Sequence, residues 1–246
     1  MSNRWGQAAK IIQSQPNWRL GMRRLAFIVR EVWAYDWARP GVMTGFQSTT
    51  EYFPPDYMWY SPTETSTCRD ILAFTKDWLR SYYEYSDTGL TPVVVDFGAG
   101  AGKVNLIALE LGFPISSAFE LDESLVKLAD QNYLQLVRRR KIRGKFFSFR
   151  GDATSAEDVG RLQAEIREHI GKDGSPILVA YNKNSYGADS LRKSLEALDS
   201  SFGRYVYLYQ NPVHKRVLED LGLRVHRHIQ DDGLRKNRDW LIATRD

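Results

Sequence analysis

VVVDFGAGAG, Val93 to Gly102, is the stretch on which the fold turns. Val93, Val94 and Val95 are three consecutive β-branched residues and read as a short strand buried on both faces, as in a parallel sheet. Asp96 closes the strand, and Gly98, Gly100 and Gly102 follow at every second position. From Val104 to Leu111 apolar residues fall at 104, 107, 108 and 111, one face of a helix. Strand, glycine turn, helix is the arrangement that lets a ligand approach bare backbone near a helix N-terminus.

The spacing separates three kinds of ligand. A phosphate-cradling P-loop needs glycine, four residues, then Gly-Lys-Ser/Thr. Gly102-Lys103 fits its end, but Phe97 stands where the first glycine belongs and Val104 where the magnesium-binding hydroxyl belongs. A dinucleotide fingerprint counted from Gly98 needs its third glycine at Lys103. The pattern acidic-x-Gly-x-Gly-x-Gly instead resembles the first motif of the class I S-adenosylmethionine (SAM) methyltransferases. That resemblance implies that the backbone of Gly98, Ala99, Gly100 and Gly102 lies against the methionyl end of SAM, which Asp96 helps to position.

Further motifs follow in order. Ile115 to Phe119 reads as a second strand ending at Glu120, where nucleotide-binding α/β folds place a carboxylate for two ribose hydroxyls. Glu120 with Leu121 beside it fits this role, and Asp122 is the alternative. Lys145 to Phe149 reads as a third strand, followed by Asp152-Ala153. The resemblance implies that Asp152 accepts the adenine amine with Ala153 alongside; the other reading of Asp152 is a helix N-cap. Gly174-Ser175-Pro176 reads as a loop before the fourth strand, Ile177 to Tyr181. In the family, the residues after this strand face the transferable methyl. Methyltransferases that act on base amines, and some that act on protein amides, carry Asn/Asp-Pro-Pro-aromatic there. Asn182 matches the first position, while Lys183 and Asn184 replace both prolines, which counts against a flipped base. Asn211-Pro212 follows the fifth strand and is not this motif. Asn182, Tyr181 and Tyr60 are the candidates at the reacting end. Arg204–Tyr209, Arg224–Ile229 and Trp240–Thr244 complete the strands. The implied fold is α/β: a doubly wound, mostly parallel seven-strand sheet, its last strand antiparallel.

Residues 1–89 are expected to form an N-terminal helical, aromatic extension on the substrate side, and residues 90–246 the Rossmann-like SAM-binding domain. Arg19 to Trp37 has helical spacing, ended by Pro40-Gly41. Gly41 to Pro62 is irregular and rich in aromatics, too long for a simple connector, and reads as a lid or as fixed packing. Tyr60-Ser61-Pro62-Thr63 is similar to a Tyr-x-Pro-Thr element of protein-modifying methyltransferases, which implies that Tyr60 and Thr63 lie over the cofactor. Thr63 is also the expected N-cap of a helix from Glu64 to Tyr83. Cys68 on that helix reads as a buried filler.

Composition is ordinary for a globular chain of 246 residues, with a net charge of +4. One cysteine excludes an internal disulfide and a multi-cysteine zinc site. The four histidines lack zinc-ligand spacing, so no metal is expected; His226 and His228 fall on one face of a strand. No apolar run reaches membrane-spanning length and the first residues lack a leader's hydrophobic core, so a cytoplasmic enzyme with no membrane partner is expected. Arg138 to Lys141, with Arg143 and Lys145, form the densest positive run. It falls between a helix and the next strand, on the sheet edge opposite the strand C-termini where ligands bind, and a solvated helix C-terminus accounts for it. The acceptor favoured is therefore a protein or peptide amine, ahead of RNA, nucleic acid or a small molecule. A NAD-type oxidoreductase on the same fold and a SAM-binding protein without transfer activity are the rivals.

Overall fold

The computed structural model describes residues 13, 17–45, 62–83, 89–139, 142–171, 174–183, 186–229 and 239–246. Tyr60, Asn184 and the loop 230–238 lie outside the described residues.

Three consecutive valines make the centre of the sheet because each is buried whichever face it takes. Strand β1 (Leu90–Phe97) buries Val93, Val94 and Val95 completely. Val93, Val95 and Phe97 join one core with helices α6 (Ala156–Ile170) and α7 (Ala188–Phe202), through Leu162, Ile166, Leu191 and Leu195. Val94 joins the opposite core with α3 (Thr65–Tyr83) and α4 (Lys103–Glu110), through Ile71, Leu72, Leu79 and Ile107. This is alternation along a strand with a period of two, with both faces covered. The helix that closes residues 1–89 is thus part of the packing of the sheet.

The sheet is β3 (Lys145–Arg150), β2 (Ile115–Glu120), β1, β4 (Ser175–Asn182), β5 (Tyr205–Gln210), β7 (Trp240–Arg245) and β6 (Arg224–Ile229), in that spatial order. Strands β1 to β5 pair in parallel, and β7 runs antiparallel to both β5 and β6. This is the seven-strand sheet that the sequence implies. Helix α5 (Glu123–Arg139) connects β2 to β3, and α8 (Lys215–Asp220) precedes β6. The order reverses between β1 and β4, the switch point beyond whose strand C-termini open α/β sheets bind ligands.

Several boundaries differ from those read in the sequence. Asp96 does not end β1: Phe97 still pairs with Phe119. Ser175-Pro176 opens β4 instead of forming a loop, Pro176 being tolerated near a strand start. The first helical run is α1 (Trp18–Ile28), a π-helical turn (Val29–Trp33) and α2 (Ala34–Trp37). Thr63 is not the cap of α3. The Cys68 N–H donates to the Glu64 carbonyl, which sets Glu64 as the residue before the helix, and the Ser66 N–H is satisfied by Glu31 from α1's continuation. A bulge between Val225 and Arg227 breaks the alternation expected of His226 and His228. His226 packs on Trp78 and Tyr82, while His228 bonds Asp239 at 2.7 Å. Among the described residues no helix is long and apolar enough to cross a membrane, and no group of three or more His, Cys, Asp or Glu could hold a metal.

The basic run begins at the C-terminal end of α5 and reaches Lys145 at the start of β3, the edge away from the glycine turn. A cleft of about 760 Å³ opens at this far edge, lined by Pro114, Arg143, Lys145 and His169 among others. Its lining contains none of the motif residues.

Candidate functional site at the switch point

Gly98, Gly100 and Gly102 all take positive φ, at 82°, 55° and 78°. Side-chain-bearing residues rarely adopt such angles, so the alternating glycines are required by the backbone and not merely tolerated. At Gly102 a Cβ would also lie 3.1 Å from that of Ala129 on α5. The turn is locked to β2: Gly98 and Ala99 N–H groups both donate to the Phe119 carbonyl, at 2.9 and 3.2 Å.

Glu120, at the end of β2, is 6% exposed. One carboxylate oxygen accepts the Gly100 N–H at 2.7 Å, and the other accepts from Leu121 N–H at 2.8 Å and Asp122 N–H at 3.1 Å. Burial raises its pKa, and these three backbone donors work in the other direction. Asp122 has a different job. Its carboxylate accepts from the N–H groups of Ser124 and Leu125, capping α5. Of the two candidate carboxylates, Glu120 therefore faces the glycine turn and Asp122 closes a helix.

Asp96 is buried, with its pKa pushed well above the ordinary carboxylate range. Burial is the main cause, the nearby Glu120 charge adds to it, and Lys183 opposes it. Two carboxyls thus share the crevice at the ends of β1 and β2. Asp152 follows β3, and its carboxylate accepts from the N–H and hydroxyl of Thr154, both at 2.8 Å. Ser155, not Asp152, caps α6. The N-cap reading of Asp152 is thereby replaced by a local turn, with Ala153 buried beside it.

Asn182, the last residue of β4, is buried. Tyr181 is fully buried and donates its hydroxyl to Gln210. Its ring belongs to the core shared with α3, while Tyr60 lies outside the described residues. The Thr63 carbonyl accepts from Lys103 Nζ at 3.2 Å.

Sequence reading missed the polar groups that join these parts. Lys183 donates to the Pro62 carbonyl at 2.9 Å and pairs with Glu64 at 3.1 Å, and Gln210 donates to Glu64 at 2.8 Å. One signal was available. Lys103 opens a helix, where the macrodipole disfavours a cation, so its presence there calls for a specific acceptor.

No family model matches the chain, and no curated protein matches it. Among solved structures, the magnesium protoporphyrin IX methyltransferase of Synechocystis PCC 6803 with bound SAM is 14% identical, with a TM-score of 0.46 over 89% of this chain and 96% of that one. The ribosomal protein L11 methylase of Lactobacillus delbrueckii subsp. bulgaricus is 15% identical, with a TM-score of 0.38 over 62% and 68%. The glycopeptide N-methyltransferase MtfA in complex with SAM is 12% identical, with a TM-score of 0.43 over 66% and 84%.

Proposed function

We propose that the chain is a SAM-dependent methyltransferase and that its acceptor is a protein or peptide amine. The observation that carries the cofactor assignment is the pairing of Asp96 and Glu120, two buried carboxyls facing a turn of three positive-φ glycines at the switch point. A carboxyl at the end of β2 is common to nucleotide-binding α/β folds; the second one, Asp96 beside the turn, suits a ligand with a cationic sulfonium and ammonium. Lys103, the one cation in the turn itself, donates to two protein carbonyls, which engages it away from any phosphate role.

The donor set fits. A carboxylate offers about four lone-pair sites. Glu120 has three accounted for, which leaves room on the oxygen facing Gly100 for a ribose hydroxyl. Asp152 would accept the adenine amine, and the Gly98–Gly102 backbone would lie against the amino-acid end. When bound, SAM supplies a methyl group on an electrophilic sulfonium. Asn182 would accept a hydrogen from the acceptor amine and orient its lone pair. Tyr60 is the second candidate at the reacting end. Residues 1–89 would exclude water and align the acceptor. With an amine that arrives neutral, catalysis is proximity and alignment.

Titration calorimetry with S-adenosylhomocysteine, NADH and NADPH tests this. Micromolar binding of S-adenosylhomocysteine with no response to either nicotinamide is expected. The reverse pattern would establish an oxidoreductase.

A further inference from the structure

Lys103 and Lys183 stand on either side of the switch point, one directly after the glycine turn and one directly after β4. Both are largely buried, Lys103 at 3% exposed and the Lys183 side chain at 11%. Both reach the same few residues. Lys183 Nζ donates to the Pro62 carbonyl at 2.9 Å and to the Glu64 carboxylate at 3.2 Å. Lys103 Nζ donates to the Thr63 carbonyl at 3.2 Å and to the Val32 carbonyl at 3.3 Å.

The next two residues are held from the other side. The Thr65 hydroxyl donates to the Glu31 carbonyl at 2.6 Å, and the Ser66 N–H to the Glu31 carboxylate at 3.0 Å. Glu31 and Val32 belong to the π-helical turn, so one irregular turn supplies three acceptors to this junction. Such turns concentrate where a helix makes a functional contact. Residues 62 to 64 are thereby bonded to the two crevice loops, Thr63 through Lys103 and Pro62 and Glu64 through Lys183, and residues 65 and 66 to Glu31. Burying two ammonium groups is a desolvation cost that an apolar cover would avoid. What the lysines add is a polar link from each crevice loop to one strap.

We propose that Lys103 and Lys183 are positioning residues that clamp residues 62–66 across the crevice, so that filling the crevice and seating the strap are one event. The linkage to ligand rests on the cofactor reading above; the clamp itself rests on the bonds. Neither lysine touches the reacting atoms. Each acts through the strap.

The test is amide hydrogen exchange on the full chain with and without S-adenosylhomocysteine, for wild type, Lys103→Met, Lys183→Met and the double variant. In wild type the ligand should slow exchange at residues 63–66 by about tenfold or more. Each single variant should lose that slowing and bind the ligand about tenfold more weakly, about 1.4 kcal/mol. Because both act on one strap, the double variant should bind no more weakly than the weaker single. Ligand that binds wild type and leaves exchange at 63–66 unchanged overturns the proposal, as do fully additive losses. If a methionine variant does not fold, the wild-type comparison decides alone. If wild type binds no S-adenosylhomocysteine, the cofactor reading fails separately. The clamp is then decided without ligand: faster exchange at 63–66 in Lys183→Met supports it, and unchanged exchange overturns it.

Discussion

The Glu120 carboxylate accepts the Gly100 N–H at 2.7 Å, so the end of β2 closes the glycine turn that follows β1. Its other oxygen accepts from Leu121 and Asp122. The side chain therefore needs acceptors on both oxygens. Glu120→Gln places an NH₂ against either Gly100 or the Leu121–Asp122 pair, donor facing donor. We expect S-adenosylhomocysteine affinity to fall tenfold or more, about 1.4 kcal/mol, with a lower Tm. Calorimetry showing undiminished binding by folded Glu120→Gln would remove Glu120 from the cofactor site.

If Asp96 serves the cofactor as proposed, its role conflicts with stability. Burial and the neighbouring Glu120 raise its pKa, so over the interval between the unfolded and folded values the folded chain holds a proton that the unfolded chain has released. Its contribution to stability therefore declines as pH rises through that interval. Asp96→Asn should raise stability at pH 7, read as a higher Tm than wild type. The advantage should shrink toward pH 4, while S-adenosylhomocysteine binding is weakened throughout. Thermal melts across pH read the first effect and calorimetry the second. A variant less stable than wild type at pH 7 would show that the carboxylate is satisfied in the empty crevice.

Lys103 has the opposite sign. Burial pushes its pKa down to about 8 from 10.5, Asp36 acting against the shift. Between those two values the unfolded chain keeps a proton that the folded chain has lost, so stability attributable to Lys103 rises with pH there. Below pH 8 the cost of the buried charge is present in full. Urea unfolding of wild type and Lys103→Met should show wild type gaining on the variant from pH 8 to 10. Parallel pH curves would mean that Lys103 does not titrate in this range.

A fourth expectation concerns the join between α2 and α4. Arg39 grips Glu110 with two bonds of 2.7 Å, its guanidinium lying 3.6 Å from the Tyr35 ring centre, and both side chains are less than a tenth exposed. Glu110→Ala leaves that guanidinium buried without its counter-ion, a loss of about 3–5 kcal/mol. Arg39→Met combined with Glu110→Leu should cost much less, because no buried charge is stranded: Arg69, which also pairs with Glu110 at 3.0 Å, is 41% exposed and reaches solvent. Chemical denaturation of both variants distinguishes a stranded charge from simple loss of packing.

What could be read from the sequence followed from local rules. Val93–Val95 had to be buried on both faces, and three glycines at alternate positions marked a turn of bare backbone, so the central strand, its turn and the strand-end carboxylates were legible. Lys183 and Glu64 were not, because their partner residues lie 119 positions apart in the chain. Neither was the capping of α3 by Glu31, which depends on where a π-helical turn brings that carboxylate. Thr63 looked like the cap because capping was sought on the helix's own strand of sequence. Tyr181 looked available because it precedes Asn182, yet alternation along β4 turns its ring into the core with Val179.

The acceptor class is tested by labelling. Lys183 replaces the first proline of the base-methylating motif and is tied to Pro62 and Glu64, which leaves no rigid proline carbonyl at that position to receive a flipped base. The basic run reaches the sheet at Lys145, at the edge away from the crevice. The loop 230–238 enters and leaves at the crevice edge, between Ile229 and Asp239, but Asp231 and Asp232 dilute the charge of Arg235, Lys236 and Arg238. Phosphate-driven RNA binding would fall steeply with salt, whereas recognition of a peptide amine beside Asn182 would not. Cell extract should be incubated with the purified protein and tritiated SAM at low and at moderate salt, then split between RNase and protease. We expect the label to be lost to protease, to survive RNase, and to vary little with salt. Loss to RNase alone would make RNA the acceptor, and label surviving both digestions would make it a small molecule.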